Sequence, residues 1–290
     1  MALLFDSFDT WKLHCESNNM PLYVPVLEYE IALKGRTEAE IWKGMETAYT
    51  VMKEAIHTGL TQDMTSRSGM VKNTGKKVQQ TSKVVLSKEF QTLIATTIAA
   101  KEVNSCMGRI VAAPTAGASG IMPGILVNLQ NIHQLSEQKI LEGLLVAAGI
   151  GLIIQQNASI AGAIGGCQAE TGSAAAMGAG AIVYCLGGTI TQVFNAVAIT
   201  IQCTLGLVCD PVAGLVEVPC IVRNASAVAI AFSAAQIAIA DGDPVIPVDE
   251  CIIAMGEVGQ SMESKYKETA LGGLAATPTA KAIAKKVHKR

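Results

Sequence analysis

Residues 143–209 read GLLVAAGIGLII (143–154), QQNASIAGAIGGCQAETG (155–172), SAAAMGAGAIVYCLGG (173–188) and TITQVFNAVAITIQCTLGLVC (189–209), with Glu170 as the one formal charge. A stretch this apolar is either a set of membrane spans or the centre of a large helical core. A span needs about 20 continuous apolar residues. These runs are cut by Gln155-Gln156-Asn157, Gly187-Gly188-Thr189 and Thr191-Gln192, and they lack flanking Lys/Arg belts. A helix that is apolar on all sides suits the interior of a bundle. The expectation is therefore a mainly α chain: one compact helical domain over residues 1–290 with buried Ala/Gly-rich central helices, no membrane and a cytoplasmic setting.

Working outward, the flanks carry helix signals. VLEYEIALKG (26–35) reads as a helix ended by Gly35, with Leu22–Val26 extended around Pro21 and Pro25. Thr37 and Glu40 form a capping box. It opens a helix with Ile41, Met45, Ala48, Met52 and Ile56 on one face, which Gly59 ends. Residues 61–80 are polar and read as a ligand-facing loop. A helix over 88–106 buries Phe90, Leu93, Ile94, Thr97 and Ile98. Further helices follow near 122–133, 225–240 and 248–264, and the basic tail KAIAKKVHKR reads as frayed or solvated.

Net charge is −2, and no basic stripe is interleaved with aromatics, which argues against a nucleic-acid partner. Eight cysteines invite a disulfide reading. The start MALLFDSFDTWKLH carries acids where a secretory leader has basic residues, and a chain of this length needs no staples. Cys185, Cys203, Cys251 and Cys106 read as buried small hydrophobes, and Cys15 as an edge thiol. Cys209 and Cys220 differ. They lie in CDPVAGLVEVPCIVRN (209–224), one before Asp210-Pro211 and one after Pro219, on what reads as an ordered, exposed loop. Cys167, in GAIGGCQAETG, has similar surroundings. Sulfur ligands select zinc, copper(I) or an iron–sulfur cluster. Structural zinc pairs cysteines two to four residues apart. Here no C-x-x-C occurs and His14, His57, His133 and His288 are far in sequence, so three thiols holding a cluster with one open iron fit better.

AAPTAGASGIMPG (112–124) breaks helix with Pro114 and its glycines. Backbone N–H groups in such a turn, with the helix N-terminus behind it, suit a small carboxylate.

GLVCDPVAGLVEVPCIVRNA resembles the cluster-binding segment of iron–sulfur-dependent L-serine dehydratases. GGCQAETGSAAAMGAG, MGRIVAAPTAGASGIMPG, KYKETALGGLAATPT, EYEIALKGRTEAEI and VMKEAIHTGL are similar to other segments of that family, specifically of the alpha chain of its two-chain form. The resemblance covers nearly the whole chain. It implies a helical fold, Cys167, Cys209 and Cys220 as [4Fe–4S] ligands, and β-elimination of L-serine to pyruvate and ammonia, with the open iron polarising the hydroxyl as a Lewis acid. It implies a separate beta chain and an oligomer. Ser68, Thr115, Gly117, Ala118 and Ser119 are the expected substrate contacts. Pyridoxal phosphate, the other cofactor for this reaction, is not expected, because its usual α/β architecture is not evident. No catalytic base is identified.

The chain departs from the family pattern in one loop. Where the family carries Ser-Gly-x-Thr-Gly-Gly-Asp, this chain keeps Ser68-Gly69-Met70 and continues Val71-Lys72-Asn73-Thr74. Single-chain members end in a cysteine, whereas this chain ends in Lys289-Arg290. If the lost glycines admit a ligand, Lys72 puts a positive charge beside the substrate ammonium, and the expectation is weak L-serine turnover by this chain alone. A related cluster enzyme acting on L-cysteine (a desulfidase) and an inactive subunit awaiting its beta chain are the alternatives.

Overall fold

The computed structural model describes residues 5–289. Among the described residues thirteen α-helices follow one another: α1 Phe8–Asn18, α2 Tyr23–Lys34, α3 Glu38–Thr61, α4 Thr74–Gln80, α5 Lys88–Ser105, α6 Ile121–His133, α7 Glu137–Asn157, α8 Gly162–Gly165, α9 Ser173–Cys185, α10 Ile190–Thr204, α11 Cys220–Ile239, α12 Val248–Ser261 and α13 Pro278–Val287. Among the described residues there is no strand, only a bridge between Cys209 and Lys267.

The Ala/Gly-rich run of the sequence becomes α9, all of whose residues are buried. It packs against α6, α7, α10 and α11. Small side chains make this possible: Gly178 receives Ile125 from α6, and Gly180 receives Ile150 from α7. By length and composition α7 and α11 could cross a membrane, but 67% and 50% of their apolar windows are buried within the chain. A cluster of Phe5, Phe8, Trp11 and Phe194 covers one end of the core; Phe8 meets Phe194 edge-on at 4.7 Å between centroids.

A second buried helix organises the other half. From Ala95 to Val103 every residue of α5 is buried. Gly59 of α3 lies directly on the backbone of Ala99, and Gly75 of α4 approaches the same residue from another side. A Cβ at Gly75 would stand 2.6 Å from the Ala99 nitrogen and 2.8 Å from the Ala95 oxygen. Gly120 and Gly124 pack on Thr97 of the same helix. Helices meet at 8–10 Å when side chains intervene. Here glycine removes the spacer.

Several local expectations are corrected. Leu22–Val26 is not extended. Pro25 sits in the first turn of α2, where its missing N–H costs nothing. Gly59 does not end α3, which runs to Thr61; the residue serves packing instead. The polar stretch 61–80 contains α4. The basic tail is helical: Thr277 caps α13 and Pro278 opens it. Residues 1–4 and 290, touched by the expectations for the start of the chain and for the basic tail, lie outside the described residues. Cys15 is buried, Cys203 exposed and Cys106 half-buried, while Cys185 and Cys251 are buried as expected. The sequence puts Cys203 in an apolar run, but it occupies the outer face of α10.

Gly59 and Gly44 lie on the same helix in opposite surroundings, since a Cβ at Gly44 would meet nothing within 4 Å. Gly59→Ala is expected to destabilise by about 1–3 kcal/mol through overpacking. Gly44→Ala is expected to stabilise by about 0.5–1 kcal/mol through helix propensity. Denaturant unfolding of the two variants checks both signs.

Candidate active site

Cys167 is placed by a turn that needs glycine. Gly166 has φ +75°, ends the short α8, and lies so close to Leu207 and Met262 that a Cβ would stand 2.8 Å from the Leu207 oxygen. Cys167 then leads into a π-helical turn, Gln168–Gly172, that continues as α9. Gln168 anchors this turn: its N–H donates to Leu207 O at 3.0 Å, its side chain donates to Met255 O at 2.8 Å, and it accepts from Gly206 N at 2.9 Å.

Cys209 is held by pairing with the C-terminal signature. Its N–H donates to Tyr266 O and its carbonyl accepts from Glu268 N, both at 2.8 Å. Asp210 accepts from Leu274 N at 2.6 Å, which ties the GGLAAT segment to the cysteine segment. Cys220 is not in a loop. It is the first residue of α11, which begins as soon as Pro219 permits. The expectation of exposed thiols is also corrected: Cys167, Cys209 and Cys220 are 3%, 3% and 7% exposed. All three are unpaired thiols.

Two cations face them. Arg223, one turn after Cys220, donates to Val208 O at 2.7 Å and pairs with Asp210 at 2.8 Å. It also lies beside the Cys167 sulfur. Thus one side chain spans all three cysteine segments. Lys101 of α5 is fully buried and donates to Val216 O at 2.8 Å and to Asn104 Oδ1 at 2.6 Å. Burial pulls its pKa down to about 8. Burial pushes the Cys220 thiol up to about 12, against the opposing pull of Lys101, and raises Cys167 and Cys209 as well. The three thiols sense one another's charge. Among the described residues no group of His, Cys, Asp or Glu is arranged to hold a single metal ion. Sulfurs on one ion lie within about 4.6 Å of each other, twice a metal–sulfur bond. A multi-iron cluster spreads its ligands further. Three buried soft donors with two cations close by, and no histidine, fit such a cluster.

The 115–119 loop stands beside this group. Ala116–Ala118 form a single 3₁₀ turn. Its internal bonds use the N–H groups of Ala118, to Thr115 O, and of Ser119, to Ala116 O. Those two donors, counted among the expected carboxylate contacts, are therefore occupied. The N–H groups of Thr115, Ala116 and Gly117 have no partner among the described residues. The Thr115 and Ser119 hydroxyls are buried without a hydrogen bond. Asn224, fully buried one turn after Cys220, fixes the loop to α11. It donates to Gly117 O at 2.9 Å and to Cys220 O at 2.8 Å, and it accepts from Gly120 N at 3.0 Å.

Between the loop and the thiols lies Glu170. A Cβ at Gly117 would stand 2.9 Å from its carboxylate, and one at Gly162 would stand 2.9 Å from that carboxylate and 3.2 Å from Cys209 Sγ. Burial raises its pKa, with Glu268 adding to the rise and the neighbouring Thr115 hydroxyl and Lys101 opposing it. The sequence does carry a signal for this residue, as the sole charge in 67 residues of apolar chain (143–209).

Ser68 sits further out. Its hydroxyl donates to Glu217 at 2.7 Å, as does that of Ser66, and it accepts from Met70 N at 2.9 Å. Glu217 is buried three residues before Cys220. Val71 is buried against Ile98, Ile221 and Ala225. Lys72 points to solvent, which removes the expected charge beside the substrate. Asn73 has φ 52° and ψ 45°, a left-handed backbone that glycine meets freely and that asparagine tolerates best after glycine. Its side chain accepts from Met64 N at 2.8 Å. The four histidines contribute nothing here: His57, His133 and His288 are exposed, and His14 lies 3.7 Å from Glu28.

Known proteins share these features' sequence context. A family model described as serine dehydratase alpha chain matches residues 17–275. The L-serine dehydratase, alpha chain, of Peptoniphilus asaccharolyticus is 44% identical over 272 residues, covering 93% of both chains. The probable L-serine dehydratase, alpha chain, of Bacillus subtilis (strain 168) is 41% identical over 265 residues, 90% of this chain and 88% of the relative. The L-serine dehydratase of Streptomyces coelicolor is 40% identical over 262 residues, 88% of this chain but 57% of the relative. With a family match over most of its length and relatives this similar at nearly full coverage, the chain belongs to the serine dehydratase alpha chain family.

Proposed function

We propose that this chain is the alpha chain of an L-serine dehydratase, binding a [4Fe–4S] cluster through Cys167, Cys209 and Cys220 and working with a separate beta chain. The observation that carries the reading is the set of three buried, unpaired thiols from separate segments, spanned by Arg223 and set beside a loop with orphaned donors. When bound, the cluster would supply a Lewis-acid iron for departure of the serine hydroxyl. The chain's own groups do the binding. The free N–H groups of Thr115, Ala116 and Gly117 and the hydroxyls of Thr115 and Ser119 are donors for the substrate carboxylate. Asn224 holds them in register with Cys220. Gly117 contributes backbone rather than a side chain, Ala118 spends its N–H within the 3₁₀ turn, and Ser68 shapes the outer wall through Glu217. The names of the two-chain relatives support the beta partner.

The decisive assay is anaerobic reconstitution, followed by turnover of L-serine, L-threonine and L-cysteine with and without a beta chain. Pyruvate from L-serine is the expected product; its absence with every beta chain tried, while L-cysteine is consumed, would reject the reading.

Reconstituted protein is expected to hold about four irons per chain. Cys167→Ser, Cys209→Ser and Cys220→Ser should each lose most of the iron and the visible absorption, while exposed Cys203→Ser keeps both. Iron analysis decides this without an activity measurement.

Thr115→Ala and Ser119→Ala should weaken L-serine binding by about 1.5–3 kcal/mol each if their hydroxyls meet the charged carboxylate, with iron unchanged. Unaltered KM in both would reduce the loop to a structural turn.

Lys72→Gly is a surface change and should move KM and kcat by no more than about 0.5 kcal/mol in free-energy terms. A large gain in L-serine turnover would instead restore a role for that charge.

A further inference from the structure

We propose that the Glu170 carboxylate receives the α-ammonium group of the amino-acid substrate and so makes the site select zwitterions over the corresponding hydroxy acids. The inference rests on the amino-acid lyase reading above and adds a subsite to it. L-Serine presents a carboxylate, an ammonium and a hydroxyl on neighbouring carbons. The 115–119 loop offers donors, which suit the carboxylate. The thiol group is the proposed cluster site and suits the hydroxyl. An ammonium requires an acceptor with negative charge.

Four other charges around the site are committed, while Glu268 stands at the same end as Glu170. Arg223 is paired with Asp210. Lys101 is bound to Val216 and Asn104. Glu217 is occupied by Ser66 and Ser68. Glu102 takes the N–H groups of Thr74 and Gly75 at 2.8 and 3.1 Å. Glu170 has no ion pair among the described residues and only the Thr115 hydroxyl beside its carboxylate, and unlike Glu102 and Glu217 it is only partly buried. Backbone walls flank it: a Cβ at Gly117 or at Gly162 would stand 2.9 Å from its carboxylate. The first wall belongs to the proposed carboxylate loop and the second adjoins Cys209, so the carboxylate stands where a substrate bridging the two would place its amino group. Burial disfavours the ionised form more than the Thr115 hydroxyl and Lys101 restore it, and Glu268 adds a second negative charge to the same end. Both favour entry of a cation.

The test uses the iron-loaded alpha–beta enzyme, with L-serine as substrate and 3-hydroxypropanoate, which lacks the amino group, as competitive inhibitor. Glu170→Gln is expected to raise KM for L-serine roughly 10- to 100-fold, as loss of one charge-assisted contact. It should leave kcat at saturation and iron content near wild type, and should not weaken inhibition by 3-hydroxypropanoate. Loss of kcat at unchanged KM would assign Glu170 to proton transfer and overturn the proposal. Loss of iron, or equal weakening of substrate and inhibitor, would also overturn it. Failure of the wild-type enzyme to turn over L-serine would count against the parent reading alone. In that case the same comparison, made by calorimetry with whichever amino acid the wild type binds and its des-amino analogue, still decides the role of Glu170.

Discussion

The backbone of α5 between Ala95 and Val103 is the surface on which half of this molecule is assembled. Gly59, Gly75, Gly120 and Gly124, from α3, α4 and the start of α6, abut it where no Cβ fits. Interiors pack at crystal-like density, so a contact between backbones tolerates almost no displacement. The same turn of helix then carries two buried charges, Lys101 and Glu102, each 1% exposed or less. Burying charges is costly unless they are hydrogen-bonded. Here each is bonded to a separate segment: Lys101 holds Val216 in the cysteine segment, and Glu102 holds the first turn of α4. Close packing sets the distance, and the charges set the register of what is packed.

The site inherits its geometry from that arrangement. Its parts come from chain positions 68 to 274, and regular secondary structure alone would not bring them together. A short series of polar side chains does so: Asn224 joins α11 to the 117–120 turn, Arg223 joins it to residues 208–210, and Asp210 joins those to Leu274. Buried polar networks of this kind specify one arrangement when every member is satisfied. The unsatisfied members are informative for the same reason. The Thr115 and Ser119 hydroxyls, like the N–H groups of Thr115, Ala116 and Gly117, stand without partners among the described residues, beside that network.

Much of the fold was legible in sequence because it rests on local physics. The capping box at Thr37 and Glu40, the apolar face of α3, and the left-handed Gly35 are all written within a few residues. The boundaries that were misread turn on tertiary contacts. Gly59 looks like a helix end and is a packing contact with Ala99. Residues 74–80 look like loop because their cap is Glu102, 28 positions away from Thr74. The three cysteines were legible by type and by family resemblance. Their burial was not, since Pro211, Pro219 and the neighbouring glycines describe chain direction, not depth. Glu217, Lys101 and Asn224 gave no local signal, because their partners lie 104 to 151 positions distant.

The altered loop at 71–74 shows how a resemblance and a structure can give different reasons for one residue. Glycines in a ligand-facing loop suggest close approach of a substrate. The geometry supplies another cause at one of the two positions: residue 73 is left-handed, a backbone demand that glycine meets freely and asparagine meets with little strain. The lost acid has a similar explanation. An acidic residue at position 74 would stand at the first turn of α4, where negative charge stabilises exposed N–H groups. Glu102 already takes those of Thr74 and Gly75. Replacing the acid by threonine therefore leaves the helix start satisfied, and Val71 adds buried apolar contact with Ile98 and Ile221. The loop is anchored at Ser66, Ser68 and Thr74 from outside itself, by Glu217 and by Glu102 of α5, and at Asn73 by the Met64 N–H.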